Sequence, residues 1–537
     1  MTNSQLMSLE VFPEKGQGKN TENAVKKLSP NFHDLTPQTI LTHVRELKNR
    51  NESPQHREIL TRLLEQVEPV DFELRAFPNR GHLQQQLDNP KLKKPERDEI
   101  LDQLKRFKLT TRHYVVLVVE TVINIAKANN WGLCKHNEFV YVYNGAYWSE
   151  VEKDTLQQFL GEAAEKMGVT KYLARYYEFR EKLLKQFLSD AHLPTPEPDA
   201  EKVLINLMNG TYEFNGKKGC LRPCNPEDFL TYQLPFCYDP QAKAPLFEAY
   251  LNRVLPDPER QHVLAEYLGS VFIRHGSNQL KTEKALMLYG TGANGKSVFF
   301  EIVNALLGNE NVSGFSLQSL TDEAGYYRAK IANKLVNYAS EINGKLEASI
   351  FKQLVSGEPV SARLPYGQPM MLRQYAKLIF NTNELPREVE QTNAFFRRFL
   401  IIPFDKTIPE KEQDRELHTK IIASELSGVF NWVIAGLTRL LDQKDFSPCQ
   451  AAIQALDQYR KESDSVLMFL DEEGYQASST CEIPLKDMFC KYRAYCNENG
   501  FRAASMKTFA DRLRSAGYQT ERKNFGRIVC AEKEILS

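Results

Sequence analysis

The chain has no apolar run long enough to cross a bilayer. The longest, Tyr114 to Ala126, is interrupted by Glu120, whereas a helical span needs about 20 apolar residues. The first residues, MTNSQLMSLEVFPEKGQGKN, lack the basic start and apolar stretch of a secretory signal. A cytoplasmic protein without a membrane partner is expected. Cysteine is sparse, nine in 537 residues, and this odd, scattered count argues for reduced thiols rather than a disulfide framework. Cys220 and Cys224 lie close together with Cys237 beyond them, yet no second close pair completes a tetrahedral zinc site. Neither sign of charge is in excess, since Lys plus Arg and Asp plus Glu number 69 each. That excludes a uniformly basic polyanion binder and leaves any nucleic-acid contact to local patches. An Asp-x-Asp triplet, which would chelate the two metals of polymerisation, is missing, and so is the His-x-His triplet of a rolling-circle nicking enzyme. Asp71-Phe-Glu73 is the nearest imitation and falls in a helical region, so no priming activity is expected.

What is present is an ordinary globular composition, 42% hydrophobic and 26% charged, at a length that suits three or four domains. Residues 1–110 read as short helices behind Thr36-Pro37, Ser53-Pro54 and Lys94-Pro95, with an apolar stripe at Ile40, Leu41, Val44 and Leu47. No role follows from them. Residues 111–245 read as α+β: an apolar helix, then FVYVYNGAYW and INLMNGTYEF, whose Asn144-Gly145 and Asn209-Gly210 steps predict hairpins. In residues 246–445 a helical stretch leads into strands alternating with helices, the pattern of an α/β nucleotide-binding core. Residues 446–537 alternate helices with a short basic hairpin.

The run ALMLYGTGANGKSVFFEIVNALLG sets a strand before Gly290, Thr291, Gly292, Ala293, Asn294, Gly295, Lys296 and Ser297, and an apolar-periodic helix after them. Glycines let backbone amides turn inward around phosphate oxygens, and the helix N-terminus favours negative charge. In such a phosphate-binding loop Lys296 meets the β and γ phosphates of ATP and Ser297 binds Mg2+. Downstream, LVNYASEIN is an apolar strand ending at Glu341, a carboxylate able to orient water and, with Ser297, to organise the metal shell. AKLIFNTNELP ends another strand with Asn381 and Asn383, either of which suits a γ-phosphate sensor. In NAFFRRFLIIPF, Arg397 and Arg398 precede a further strand, where an arginine can neutralise charge on a neighbouring subunit's nucleotide.

GTGANGKS, ASE, LVSGEPVSAR, FNTNELP and FFRRFLIIPF, in this order, resemble the superfamily 3 helicases of phage and plasmid primase-helicases and of the poxvirus primase-helicase. Upstream, NLMNGTYEF, LTYQLPFCYDPQAKAPLFEAYL and HVLAEYLGSVF look like the domain preceding the ATPase in those proteins, so the resemblance covers roughly residues 111–537. It implies a P-loop, AAA+-like core, an ATP- and Mg2+-dependent DNA helicase and a homo-hexameric ring. Glu341 then corresponds to Walker B, standing alone because Ser340 occupies the place of a second acid. Asn383 matches the sensor better than Asn381, and Arg398 matches the arginine finger better than Arg397. The segment between Glu341 and Asn383 corresponds to a pore hairpin. Its turn at Pro365, Tyr366 and Gly367, flanked by Arg363 and Arg373, with Lys352 nearby, suits contact with a DNA strand.

The C-terminal tail reads as three helices and a hairpin, a winged-helix pattern. One helix, opened by Ser505, carries Lys507, Arg512 and Arg514 around a Phe509 and Leu513 stripe, and the hairpin adds Arg522, Lys523 and Arg527. Two functions from different classes fit: a ring motor acting on single-stranded and forked DNA, or an ATP-gated origin binder that only switches affinity. A viral RNA helicase of the same superfamily is a third. A separate primase or host replication protein is a conceivable partner of residues 1–110.

Overall fold

In the computed structural model, residues 55–533 are described, apart from 90–91, 137–138, 192–201, 216–218, 278–279, 341, 343–345, 366, 387–388, 502 and 525. The Ile40, Leu41, Val44, Leu47 stripe, Glu341 and Tyr366 therefore lie outside the described residues.

Four helices, His56–Glu65, Thr111–Ala128, Lys153–Lys166 and Tyr177–Asp190, turn their apolar faces together, burying Ile59, Leu63, Val118, Val122, Leu160 and Phe179 in one cluster. Against them lies an antiparallel sheet of β1 (Gly132–His136), β2 (Phe139–Tyr143) and β3 (Trp148–Val151). The β2–β3 turn is closed by Asn144, whose Oδ1 accepts from the Ala146 and Tyr147 amides at 2.9 and 3.0 Å. A second sheet joins β4 (Val203–Leu207), β5 (Gly210–Phe214) and β6 (Gly219–Arg222), and Gly210 enters β5 at φ 137°, a backbone state that favours glycine.

The central sheet comprises β7 (Ala285–Tyr289), β8 (Val312–Ser313), β9 (Val336–Ala339), β12 (Lys377–Thr382) and β13 (Phe399–Pro403), ordered β13-β7-β12-β9-β8, with every pairing parallel. Helices cover it, so these strands are nearly continuous apolar runs. Between β9 and β12 a separate hairpin pairs β10 (Val360–Arg363) with β11 (Pro369–Leu372). Two helices, Pro258–Ser270 and Leu426–Gln443, meet at reciprocal glycines. A Cβ on Gly269 would sit 2.7 Å from the Leu437 amide nitrogen, and one on Gly436 would sit 2.3 Å from the Ala265 carbonyl carbon. Beside that contact the buried Glu266 carboxylate accepts from Arg439 Nε at 2.5 Å and from the Ser447 amide at 2.8 Å. Its charge is thus paired where burial alone would be costly.

The C-terminal unit runs helix Ser465–Glu472, β14 (Tyr475–Pro484), helices Leu485–Glu498 and Met506–Ser515, then β15 (Thr520–Lys523) and β16 (Gly526–Lys533), with sheet order β14-β16-β15. Packing groups the chain differently from the divisions expected at 110, 245 and 445. Helix His56–Glu65 shares a core with Thr111–Ala128, and the β4–β5 hairpin shares one with β7. Helix Gln450–Ser463 joins the central sheet, where Tyr459 packs edge-on against Phe396 and Phe399. The last core starts near Val466. Among the described residues no single helix is long and apolar enough to cross a membrane.

Candidate nucleotide site and its neighbours

The parallel register puts the carboxyl ends of β7 and β12 at one edge of the central sheet, the edge at which doubly wound folds bind ligands. The loop Gly290–Gly295 leaves β7 there and opens into helix Lys296–Leu307. Gly292 and Gly295 adopt φ 118° and 88°, backbone states that favour glycine, while Ala293 between them takes a left-handed 49° with its side chain in place. Gly290 matters for space rather than angle. A Cβ there would lie 2.3 Å from Asn294 Nδ2 and 2.4 Å from the Phe404 carbonyl oxygen.

Lys296 is only 7% exposed. Its Nζ donates to the Gly290 carbonyl at 2.5 Å, to Asn294 Oδ1 at 3.2 Å and to Asn383 Oδ1 at 3.4 Å. Among the described residues its hydrogen-bond partners are neutral oxygens, and burial lowers its pKa from the ordinary lysine value. A desolvated ammonium held by neutral dipoles at a helix N-terminus favours an anion. Thr291 and Ser297 are exposed beside it. The site thus fits a nucleotide phosphate chain, with Ser297 offering one oxygen toward Mg2+; Glu341, the other metal residue expected, is outside the described residues.

The two asparagines of FNTNELP separate cleanly. Asn381 is buried, and its Oδ1 accepts from the Tyr338 hydroxyl at 3.0 Å. Asn383, two residues on, is exposed past the end of β12 and faces Lys296. Sequence reasoning missed the braces of the loop. Asn294 Nδ2 donates to the Phe404 carbonyl at 2.9 Å, the Ile408 amide to the Ala293 carbonyl at 2.8 Å, and the Tyr250 hydroxyl to the Gly295 carbonyl at 2.8 Å. These are pairings of distant segments, and no local motif announces them.

Arg397 and Arg398 occupy the opposite edge of the sheet. The Ala285 amide that begins β7 donates to the Arg398 carbonyl at 2.8 Å, whereas the phosphate loop follows the far end of that strand. Five residues of strand separate the two, about 16 Å. Arg398 is 8% exposed, with Nη2 on Ser356 Oγ at 2.9 Å and Nη1 on the Ala394 carbonyl. Arg397 points outward, with a 3.5 Å contact to Glu283.

Of the expected DNA-contact residues, Arg363 and Arg373 are exposed on the β10–β11 hairpin, and Arg363 Nε donates to the Gly367 carbonyl at 3.0 Å across its turn. Lys352 is instead paired with Glu390 at 2.8 Å. In the C-terminal unit Lys507, Arg522 and Arg527 are exposed, and Phe509 and Leu513 are buried. Lys507 and Arg527 line a cleft of about 540 Å³ together with Lys486, which sequence reasoning had not singled out. Arg512 is not a free surface cation. It is half-buried and bonds the buried Asp464 at 3.0 Å, because its helix packs against the helix that Asp464 caps. Arg514 pairs with Asp511 and Lys523 with Glu482. Asp257, Glu259 and Cys449 also come together, but Asp257 caps its own helix and Glu259 accepts from the Gln450 amide at 2.9 Å.

Comparisons with known proteins match separate parts of the chain. A family model described as D5 N terminal like matches residues 120–256, one described as poxvirus D5 protein-like matches 461–533, and a family of unknown function, DUF5906, matches 288–398. The helicase-named protein L207/L206 of Acanthamoeba polyphaga mimivirus is 22% identical over 232 residues, 41% of this chain and 23% of its own length. The helicase-named protein 184R of Invertebrate iridescent virus 6 is 26% identical over 247 residues, 41% and 24% respectively. The chain therefore spans about a quarter of the length of these curated relatives. An apo structure of the NrS-1 C terminal region aligns with 78% of this chain and 100% of its own, at 13% identity and a TM-score of 0.44. The two D5 models and the viral relatives bear out the resemblance to primase-helicases of the phage and poxvirus type.

Proposed function

We propose that this chain is an ATP-driven DNA helicase of superfamily 3 whose catalytic sites are shared between the subunits of a ring. The observation that carries this reading is the placement of two sets of groups on opposite edges of one parallel sheet. Lys296, Asn294 and Asn383 gather at the carboxyl edge, and Arg397 and Arg398 stand at the amino edge. A side chain about 7 Å long cannot bridge about 16 Å of strand, so neither arginine serves its own subunit's loop. A neighbour in a closed ring would bring one subunit's amino edge to the next subunit's phosphate loop.

In this mechanism ATP and Mg2+ supply the phosphoryl chemistry when bound. Gly290–Gly295 and Lys296 would hold the phosphate chain, Ser297 and Glu341 would hold the metal, and Asn383 would orient the γ-phosphate or the attacking water. The side-chain placement favours Arg397 for reaching across, with Arg398 fixing the loop through Ser356 and Ala394. The β10–β11 hairpin presents Arg363 and Arg373 to a strand in the ring channel. The C-terminal unit has the element order of a winged helix, and its Lys486, Lys507, Arg522 and Arg527 suit duplex phosphates.

Strand displacement on a forked DNA duplex with ATP and Mg2+ tests the reading, comparing the intact chain with Lys296→Ala and Glu341→Gln. Unwinding that both changes abolish supports the motor. If the intact chain binds ATP and DNA, shows no single-strand stimulation of hydrolysis and separates no strands, the ATP-gated origin binder is the better account.

A further inference from the structure

The helix Lys171–Arg175 and the start of helix Tyr177–Asp190 carry three exposed tyrosines that the proposed motor does not use. Tyr172 is 90% exposed, Tyr176 46% and Tyr177 64%. A tyrosine ring is a large apolar surface, and this much of it in water calls for an explanation that a single scattered aromatic would not. The exposure is not the by-product of a loose segment. On the inner side Ala174, Phe179 and Leu183 are fully buried. Arg180 Nε donates to the Ala174 carbonyl at 3.2 Å across the corner between the two helices. A Cβ on Gly161 of the underlying helix would meet Arg180 Nε at 2.6 Å, so the corner sits hard against its support. Tyr176 and Tyr177 are in edge contact, ring centroids 5.0 Å apart. Tyr172 lies on the helix that ends at Arg175, four residues before Tyr176.

The charge around the rings has one sign in excess. Between residues 162 and 185 there are six lysines and arginines against four glutamates, in a chain whose total charge is zero. Lys171 and Lys182 are exposed, while Arg175 pairs with Glu165 at 2.8 Å, Lys185 with Glu181 at 3.4 Å, and the Tyr177 hydroxyl donates to Glu178 at 3.3 Å. Rigidly mounted aromatic faces set among cations are the chemistry that binds single-stranded nucleic acid, with rings stacking on bases and ammonium groups following the phosphates. A protein partner would also bury tyrosines, but nothing in such a contact calls for the local positive excess.

We propose that Tyr172, Tyr176 and Tyr177, with Lys171 and Lys182, form a second single-stranded DNA contact on the helical N-terminal core, apart from the central sheet and its hairpin. The choice of DNA rests on the helicase reading above. The contact would hold the strand before it enters or after it leaves the ring.

The test uses the full chain and a fluorescein-labelled dT20 oligonucleotide, with affinity followed by anisotropy at fixed salt. The triple variant Tyr172→Ala, Tyr176→Ala, Tyr177→Ala should bind roughly tenfold or more weakly, since each stacked base is worth several-fold in affinity. The matching triple Phe variant should stay within about twofold, because stacking needs the ring and not the hydroxyl. Ultraviolet crosslinking of 5-iododeoxyuridine DNA should mark the segment 171–177. DNA-independent ATP hydrolysis and the melting curve of the Ala variant should match the intact chain, which separates loss of binding from loss of fold. Unchanged dT20 affinity in the Ala variant overturns the inference, and so does an equal loss in the Phe variant. If the Ala variant binds and unwinds like the intact chain while Lys296→Ala does not unwind, only this contact is refuted and the motor stands.

Discussion

The two asparagines that close β12 should give opposite phenotypes when replaced. Asn381→Leu keeps much of the side-chain volume but removes the acceptor of the Tyr338 hydroxyl, a bond of 3.0 Å in a buried pair. A buried donor left without a partner costs about 1–3 kcal/mol. For a domain of this size each kcal/mol lowers the melting temperature by about 2–4 °C, so a drop of roughly 2–12 °C is expected. Below that transition the variant should hydrolyse ATP within a few-fold of the intact rate, because Asn381 does not face Lys296. Asn383→Leu changes an exposed side chain, and surface changes of this kind stay within about 0.5 kcal/mol. Its melting temperature should hold. Its turnover should fall on the order of a hundredfold, the loss typical of one preorganised polar group at a reacting oxyanion. Differential scanning fluorimetry and a coupled ATPase assay read both quantities on the same preparations. A stable Asn381→Leu protein that has lost hydrolysis, or an unstable Asn383→Leu protein that has kept it, would refute the assignment.

Gly290→Ala should fold yet bind nucleotide at least tenfold more weakly by fluorescent-nucleotide titration, because its Cβ would displace Asn294 and the Phe404 carbonyl that brace the loop. The cost of such overpacking is about 1–3 kcal/mol. Burial lowers the Lys377 pKa to about 8. The unfolded chain keeps that proton to near the ordinary lysine value, so the penalty is full below pH 8 and is relieved as pH rises from 8 toward 10.5. Lys377→Met should therefore raise the melting temperature at pH 7, and its advantage should shrink by pH 9.5; parallel curves would contradict this. Arg512→Ala should destabilise the C-terminal unit by about 1–3 kcal/mol through the buried Asp464 it leaves unpaired, read as an earlier unfolding transition. Arg527→Ala should instead leave that transition in place and lower duplex affinity, with a salt slope shallower by about 1.

Much of this was legible in the chain. The strand, loop and helix around GTGANGKS follow from glycine placement and apolar periodicity, and the two Asn-Gly steps lie where β2 turns to β3 and β4 to β5. What local pattern does not carry is the direction a side chain takes once distant segments meet. Arg397 and Arg398 are neighbours in sequence, but in the turn between helix Asn393–Phe396 and β13 one side chain goes out to solvent and the other finds Ser356. Lys352 reads as a free cation until Glu390 folds beside it, and Arg512 until Asp464 does. Core boundaries were hidden for the same reason. Tyr459 belongs with Phe396 and Phe399, a contact across some sixty residues.

The central claim, that catalytic sites are shared between subunits, is tested most directly by mixing inactive variants. Lys296→Ala subunits lack the loop lysine but keep both arginines, and an Arg397→Ala, Arg398→Ala subunit keeps the loop. Each alone should hydrolyse almost no ATP. Mixed in equal amounts and allowed to reassemble, about one interface in four would pair an intact loop with an intact arginine edge, as random placement in a closed ring gives. Recovery of about a quarter of the intact ATPase rate is the predicted result. A mixture as inactive as its two components, with exchange into common rings shown by differential labelling, would contradict the account.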